Sequence, residues 1–93
     1  MNKQFVLTGS VSREIPMDYR AGASSVVCTP SSATYSVWYS CTPDSVEAKI
    51  WNAISSMTAA TDQQSVELGS ITRLKFTVSS GTSLTVEISQ SEG

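Results

Sequence analysis

Between residues 71 and 90 the chain alternates twice with a period of two. Leu74, Phe76 and Val78 alternate with Arg73, Lys75 and Thr77; after Ser79-Ser80-Gly81-Thr82-Ser83 the pattern resumes as Leu84, Val86 and Ile88 against Thr85, Glu87 and Ser89. An extended strand puts every second side chain on one face, so each run reads as a strand with one dry face and one wet face. Joined by a Gly-containing turn, the two runs predict a β-hairpin. Paired residues in a hairpin point to the same side. Val78 is therefore expected opposite Leu84, Phe76 opposite Val86, Leu74 opposite Ile88 and Lys75 opposite Glu87, with a three-residue loop at 80–82 and positive φ near Gly81. Such a hairpin is not stable alone in water, so its apolar face must be covered by the rest of the chain or by a partner.

Two other segments supply candidates for that cover. Tyr35, Val37, Tyr39 and Cys41 share one face of a strand over residues 34–41, while Ser36, Trp38 and Ser40 share the other. The face with two tyrosines is expected to be core, each hydroxyl reaching the edge of the sheet, and Trp38 then points outward among serines. Val66 and Leu68 alternate with Ser65 and Glu67 in a further strand that Gly69-Ser70 separates from the final pair.

The remaining segments are also extended. Phe5 and Leu7 alternate with Val6 and Thr8 before Gly9, a place for a bulge or a close backbone approach, and Pro16 confines the next strand to an edge or to its end. Val26-Val27-Cys28 is continuously apolar, which suits a strand covered on both faces. One helical start is present: Asp44 followed by Glu47 fits a capping box, with Val46, Ile50, Ile54 and Met57 at helical spacing. Ser55 and Ser56 oppose it, so a turn of helix or an irregular loop is expected near residues 44–52, with Trp51 sealing one end of the core. Seven or eight short antiparallel strands with at most one helical turn define an all-β chain, a single β-sandwich or jelly-roll-like domain over residues 1–93.

Composition narrows the chemistry. A formal charge of -2, with six Lys and Arg scattered singly, gives no basic field for nucleic acid. Ser and Thr make up 28 of 93 residues, which fits strands and turns. His is absent, so imidazole-based catalysis is out, and neither Cys28 nor Cys41 has an activating neighbour in sequence. Both cysteines are expected to be small buried thiols in a reducing cytoplasm, with Cys28 opposite Thr34 or Tyr35 across a turn at 29–33 and no disulfide between them. Zinc needs two more soft ligands than the cysteines supply, and the isolated Asp18, Asp44 and Asp62 make no calcium loop. No glycine pattern cradles phosphate, so neither an enzyme nor a cofactor is expected. Phe5-Val6-Leu7 is too short for a signal sequence and no segment reaches membrane-spanning length, so no membrane association is expected.

Interaction residues are easier to nominate. An outward Trp38 is either an interface anchor or covered within the monomer by a loop or the N-terminal arm. Asp18 suits either an Asx turn or a contact on an exposed loop, and Tyr19 and Arg20 beside it complete the set of interface candidates.

The order of features resembles a group of small tailed-bacteriophage virion proteins. The residues that carry the likeness are Thr8-Gly9-Ser10-Val11, Ile15-Pro16-Met17-Asp18-Tyr19, Thr34-Tyr35-Ser36-Val37, Trp51 and the closing segment from Ile71 to Val86. Those proteins share a Gly-Thr-Val-like opening, a Leu-Asp-Tyr-like turn, a Thr-Tyr-Thr-Val strand, a Trp in the middle loop and a final Arg-Leu-x-Val-x-x-Gly-Thr hairpin. They often carry Thr-Phe-Asp-Asp where this chain has Ser40-Cys41-Thr42-Pro43-Asp44, so the middle loop transfers least. The resemblance implies a virion structural role, a decoration or cement protein at the capsid surface; we expect a chain made in the bacterial cytoplasm that self-associates as a dimer or trimer and clamps neighbouring subunits of the major capsid protein through loops and its N-terminal arm. Its rivals are a neck or tail component and a carbohydrate-binding or adhesin-like module that uses Trp38 and Trp51 as sugar platforms.

Overall fold

The structure, a computed structural model, describes residues 2–18, 22–43 and 45–90. Eight strands follow one another: β1 (Asn2–Thr8), β2 (Val11–Pro16), β3 (Ser24–Ser31), β4 (Thr34–Ser40), β5 (Asn52–Ala53), β6 (Gln64–Leu68), β7 (Arg73–Ser80) and β8 (Ser83–Gln90). They form two antiparallel four-stranded sheets, β1-β8-β3-β6 and β2-β7-β4-β5, packed face to face as a β-sandwich. This strand order is that of the eight-stranded jelly roll.

The period-two runs do form strands, but they do not form a hairpin with each other. β7 lies between β2 and β4, whereas β8 lies between β1 and β3 in the opposite sheet. Val78 pairs with Val11 and Tyr35 rather than with Leu84, and Leu84 pairs with Leu7 and Pro30. Lys75 lies opposite Glu14 and Trp38, not Glu87. Alternation reports which side of a strand is dry; it does not report which strand lies alongside. Crossing from one sheet to the other turns Leu74, Phe76 and Val78 and Leu84, Val86 and Ile88 into the two walls of one core. Each apolar row covers the other, so the cover that a hairpin would need from elsewhere is supplied within residues 73–90.

Two further connections repeat this arch. β1 passes to β2 through Gly9-Ser10, and β3 to β4 through Ser32-Ala33, so Cys28 pairs with Val86 and Gln64 instead of facing Thr34 or Tyr35. Each arch contains one residue with positive φ: Gly9 (73°), Ser32 (52°) and Gly81 (113°). The arches are stitched together by Ser10 Oγ donating to Ser79 O (3.2 Å) and Ser79 Oγ donating to Thr34 O (3.2 Å). Gly81 is the close approach: a Cβ there would lie 2.0 Å from Ser32 O.

The core contains Leu7, Ile15, Val26, Cys28, Tyr35, Val37, Leu74, Phe76, Val78, Leu84, Val86 and Ile88, with Ile54 and Met57 closing one flank. Phe5 packs edge-on against Phe76, with ring centroids 5.7 Å apart and planes at 80°. Tyr35 is buried and its hydroxyl donates to Asp62 O at 2.8 Å, which satisfies its polar end. Pro16 ends β2, an edge strand. Two other expectations change. Val27 is half-buried on the outer side of β3, so that strand is covered on one face. Of the two forms expected near residues 44–52, residues 45–51 take the irregular loop, while Asp44 lies outside the described residues; a helical turn forms just beyond, at Ser55–Met57, where Ile54 and Met57 enter the core while Val46 and Ile50 stay outside. Cys41 is exposed, since β4 ends at Ser40 and the chain leaves the core there.

Candidate interaction face

The outer face of sheet β2-β7-β4-β5 is built by the same alternation that builds the core. In register across it run Glu14, Lys75, Trp38 and Ala53, flanked by the row Ser12, Thr77 and Ser36 and by the row Pro16, Arg73 and Ser40. Trp38 is half-buried, as is Trp51, which immediately precedes β5. The Lys75 ammonium lies between them, 4.9 Å from the Trp38 ring and 4.7 Å from the Trp51 ring. Both distances suit cation–π attraction, worth about 0.5–1 kcal/mol for each ring at a solvated site. At the edge of this face Arg73 and Glu14 approach to 3.9 Å, a weak surface pair.

A hydrogen-bond relay places Trp51. Thr72 donates its hydroxyl to Ser40 O (3.0 Å) and Thr42 O (2.7 Å), and Thr42 Oγ1 accepts from Ile50 N–H at 2.9 Å. Lys49 reinforces the loop from inside by donating to Pro43 O at 3.0 Å and to Val46 O. Ile50 is thereby tied to Thr42, and Trp51, next in the chain, lies against Lys75 of β7. Beside it lies an open cleft of about 310 Å³ lined by Cys41, Thr42, Pro43, Ile50 and Asn52, with Ile50 itself 70% exposed.

Of the nominated residues, Trp38 belongs to this face, half-buried with the Lys75 ammonium against its ring. Asp18 belongs elsewhere: its backbone N–H donates to Gln90 Oε1 (3.3 Å) and its carbonyl accepts from Gln90 Nε2 (3.0 Å), which pins it to the end of β8 in the other sheet. Tyr19 and Arg20 lie outside the described residues. Lys75 and Trp51 were assigned to other places by sequence reasoning, Lys75 to the wet side of a hairpin and Trp51 to the end of the core. Outward parity marked Lys75 as available, but only the pairing of β4 with β7 brings it to Trp38.

The buried thiol and phenol of the core are held in their protonated forms. Burial pushes the Cys28 thiol up to about 12, which leaves it protonated and inert at neutral pH. Tyr35 is likewise raised to about 12, first by burial and then by the nearby Cys28 and Asp62. Among the described residues no three His, Cys, Asp or Glu side chains converge on a point where a metal could sit, and no helix is long and apolar enough to cross a membrane. No protein-family model, curated protein or solved structure matches the chain.

Proposed function

We propose that the protein is a non-enzymatic virion structural protein that decorates a phage capsid. It self-associates as a dimer or trimer and docks on the major capsid protein through the outer face of sheet β2-β7-β4-β5. The observation that carries this reading is the convergence of both tryptophans of the chain on that one face, around Lys75. Two large rings held by packing present contact area at low entropic cost, and Trp is enriched among residues that dominate binding energy. The sequence resemblance to tailed-phage virion proteins supplies the partner, and the jelly-roll strand order is one that viral capsid domains share. Fold alone does not assign function, so the weight rests on the tryptophan face and the resemblance together. A small domain of this kind holds a repeating lattice by avidity, many weak contacts acting at once.

Quantitative protein analysis of purified particles tests the role. Decoration requires copies on the order of hundreds, in step with the capsid lattice, whereas about a dozen or fewer would assign the protein to a neck or tail ring. Addition of Trp38→Ala or Trp51→Ala protein to undecorated capsids should give folded protein that no longer binds.

A second reading, a carbohydrate-binding module, is favoured by the same pair of rings, because sugars stack on aromatic faces. Glycan binding by the isolated protein that disappears in Trp38→Ala, with no capsid binding by either form, would select it.

A further inference from the structure

Each sheet of the sandwich ends in two edge strands, and their four edges are not equivalent. β1 turns Lys3 toward the interior side, in register with Ile88, and β2 turns Arg13 inward, in register with Phe76, where its guanidinium lies 4.5 Å from the Phe5 ring. A cation pointing inward from an edge strand blocks further pairing, because an added strand would trap the charge. β2 also ends in Pro16, and β5 is only two residues long. β6 has none of these devices. It pairs with β3 on one side and, among the described residues, with no strand on the other. Its inward residues Gln64, Val66 and Leu68 are uncharged and half-buried, and a strand paired on one side only directs alternate peptide groups away from its partner.

We infer that the free edge of β6 pairs antiparallel with β6 of a second copy of this chain, joining two four-stranded sheets into one eight-stranded sheet across a two-fold axis at Val66. This deepens the self-association within the reading above by naming its surface. The register follows from two constraints. Inward residues must face inward residues, which puts the axis on a residue rather than between two, namely on Ser65, Val66 or Glu67. An axis at Glu67 sets two carboxylates directly opposite, which is destabilising, and an axis at Ser65 leaves only residues 64–66 of β6 paired with each other. An axis at Val66 pairs all five residues: Gln64 with Leu68 of the second copy, Ser65 with its Glu67, and Val66 with its Val66. No like charges lie directly opposite in that arrangement, and a two-fold contact is self-complementary by construction.

The register makes the test specific, since Ser65 is exposed and faces away from the core. Ser65→Glu sets a new carboxylate against Glu67 of the second copy, twice over by symmetry, and Ser65→Lys sets opposite charges there. Sedimentation equilibrium of wild type and both variants should show a dimer that Ser65→Glu weakens and Ser65→Lys tightens, each by roughly tenfold. Cys41→Ser/Val66→Cys protein should form a 66–66 disulfide on mild oxidation, because paired Cα atoms at the axis lie within bridging distance, whereas Cys41→Ser/Val6→Cys, on the protected β1 edge, should not. A protein monomeric at its highest soluble concentration, or a dimer indifferent to both charges at position 65, overturns the inference. A monomer that still decorates capsids would overturn it while leaving the virion reading intact; a β6 dimer that binds no capsid would do the reverse.

Discussion

The Thr72 hydroxyl sits 2.7 Å from the Thr42 carbonyl, and this bond fixes the loop that carries Trp51. Thr72→Val keeps the shape but removes the donor, leaving a partly buried carbonyl without it. The expected cost is about 1–2 kcal/mol, read by denaturant unfolding, with a loss of near-ultraviolet dichroism as Trp51 loses its fixed surroundings. Unchanged dichroism would place the order of Trp51 elsewhere.

Lys75→Met keeps the aliphatic stem and removes the charge between the two rings. Stability should fall by no more than about 1–2 kcal/mol, while tryptophan emission changes measurably because both indoles lose the same cation. A change in Trp38→Phe protein as large as in wild type would show that Trp51 alone senses it.

Phe76 is fully buried and carries the edge-on contact with Phe5. Phe76→Ala should cost about 3–5 kcal/mol, enough to unfold a domain of this size at ordinary temperature. Thermal unfolding followed by circular dichroism reads it directly.

Gly81 and Gly9 both have positive φ, yet substitution should separate them sharply. An alanine Cβ at 81 would lie 2.0 Å from Ser32 O and 2.3 Å from Ala33 Cα, both backbone atoms that cannot swing aside. Gly81→Ala should cost about 3 kcal/mol or more. Gly9 has nothing within 4 Å of the added atom, so Gly9→Ala should cost only about 1–2 kcal/mol of left-handed strain.

Alkaline titration should unfold the protein. Cys28 and Tyr35 are both raised to about 12 from ordinary values of 9.0 and 10.0, so the unfolded chain releases its protons first. The stabilisation is complete below pH 9 and is lost as the pH rises toward 12. At neutral pH a thiol reagent should label Cys41 and spare Cys28; rapid labelling of both would contradict the burial of Cys28.

The sequence carried face assignments well and neighbour assignments poorly. Period-two patterns marked the buried sides of β4, β6, β7 and β8 correctly, and the outward direction of Trp38 with them. Which strands lie side by side is set by contacts distant in sequence, and a Gly-containing connection such as Gly81-Thr82 is compatible with a hairpin or an arch. Only packing decides between them: β7 and β8 each gain neighbours on both sides by separating. The Trp51 position was hidden for a related reason, since it depends on Thr72 reaching Thr42 across 30 residues.

The arches also have a consequence for how the chain comes off the ribosome. β7 and β8 follow the other six strands in the chain, yet β7 joins β2 to β4 and β8 joins β1 to β3. Until both have emerged, the six earlier strands lack the neighbours that hold each sheet together, and Asn2 waits for Ser89. Folding is therefore expected only once β8 has emerged, in one late cooperative step limited by long-range pairing. A stalled nascent chain ending before residue 73 should remain fully sensitive to protease.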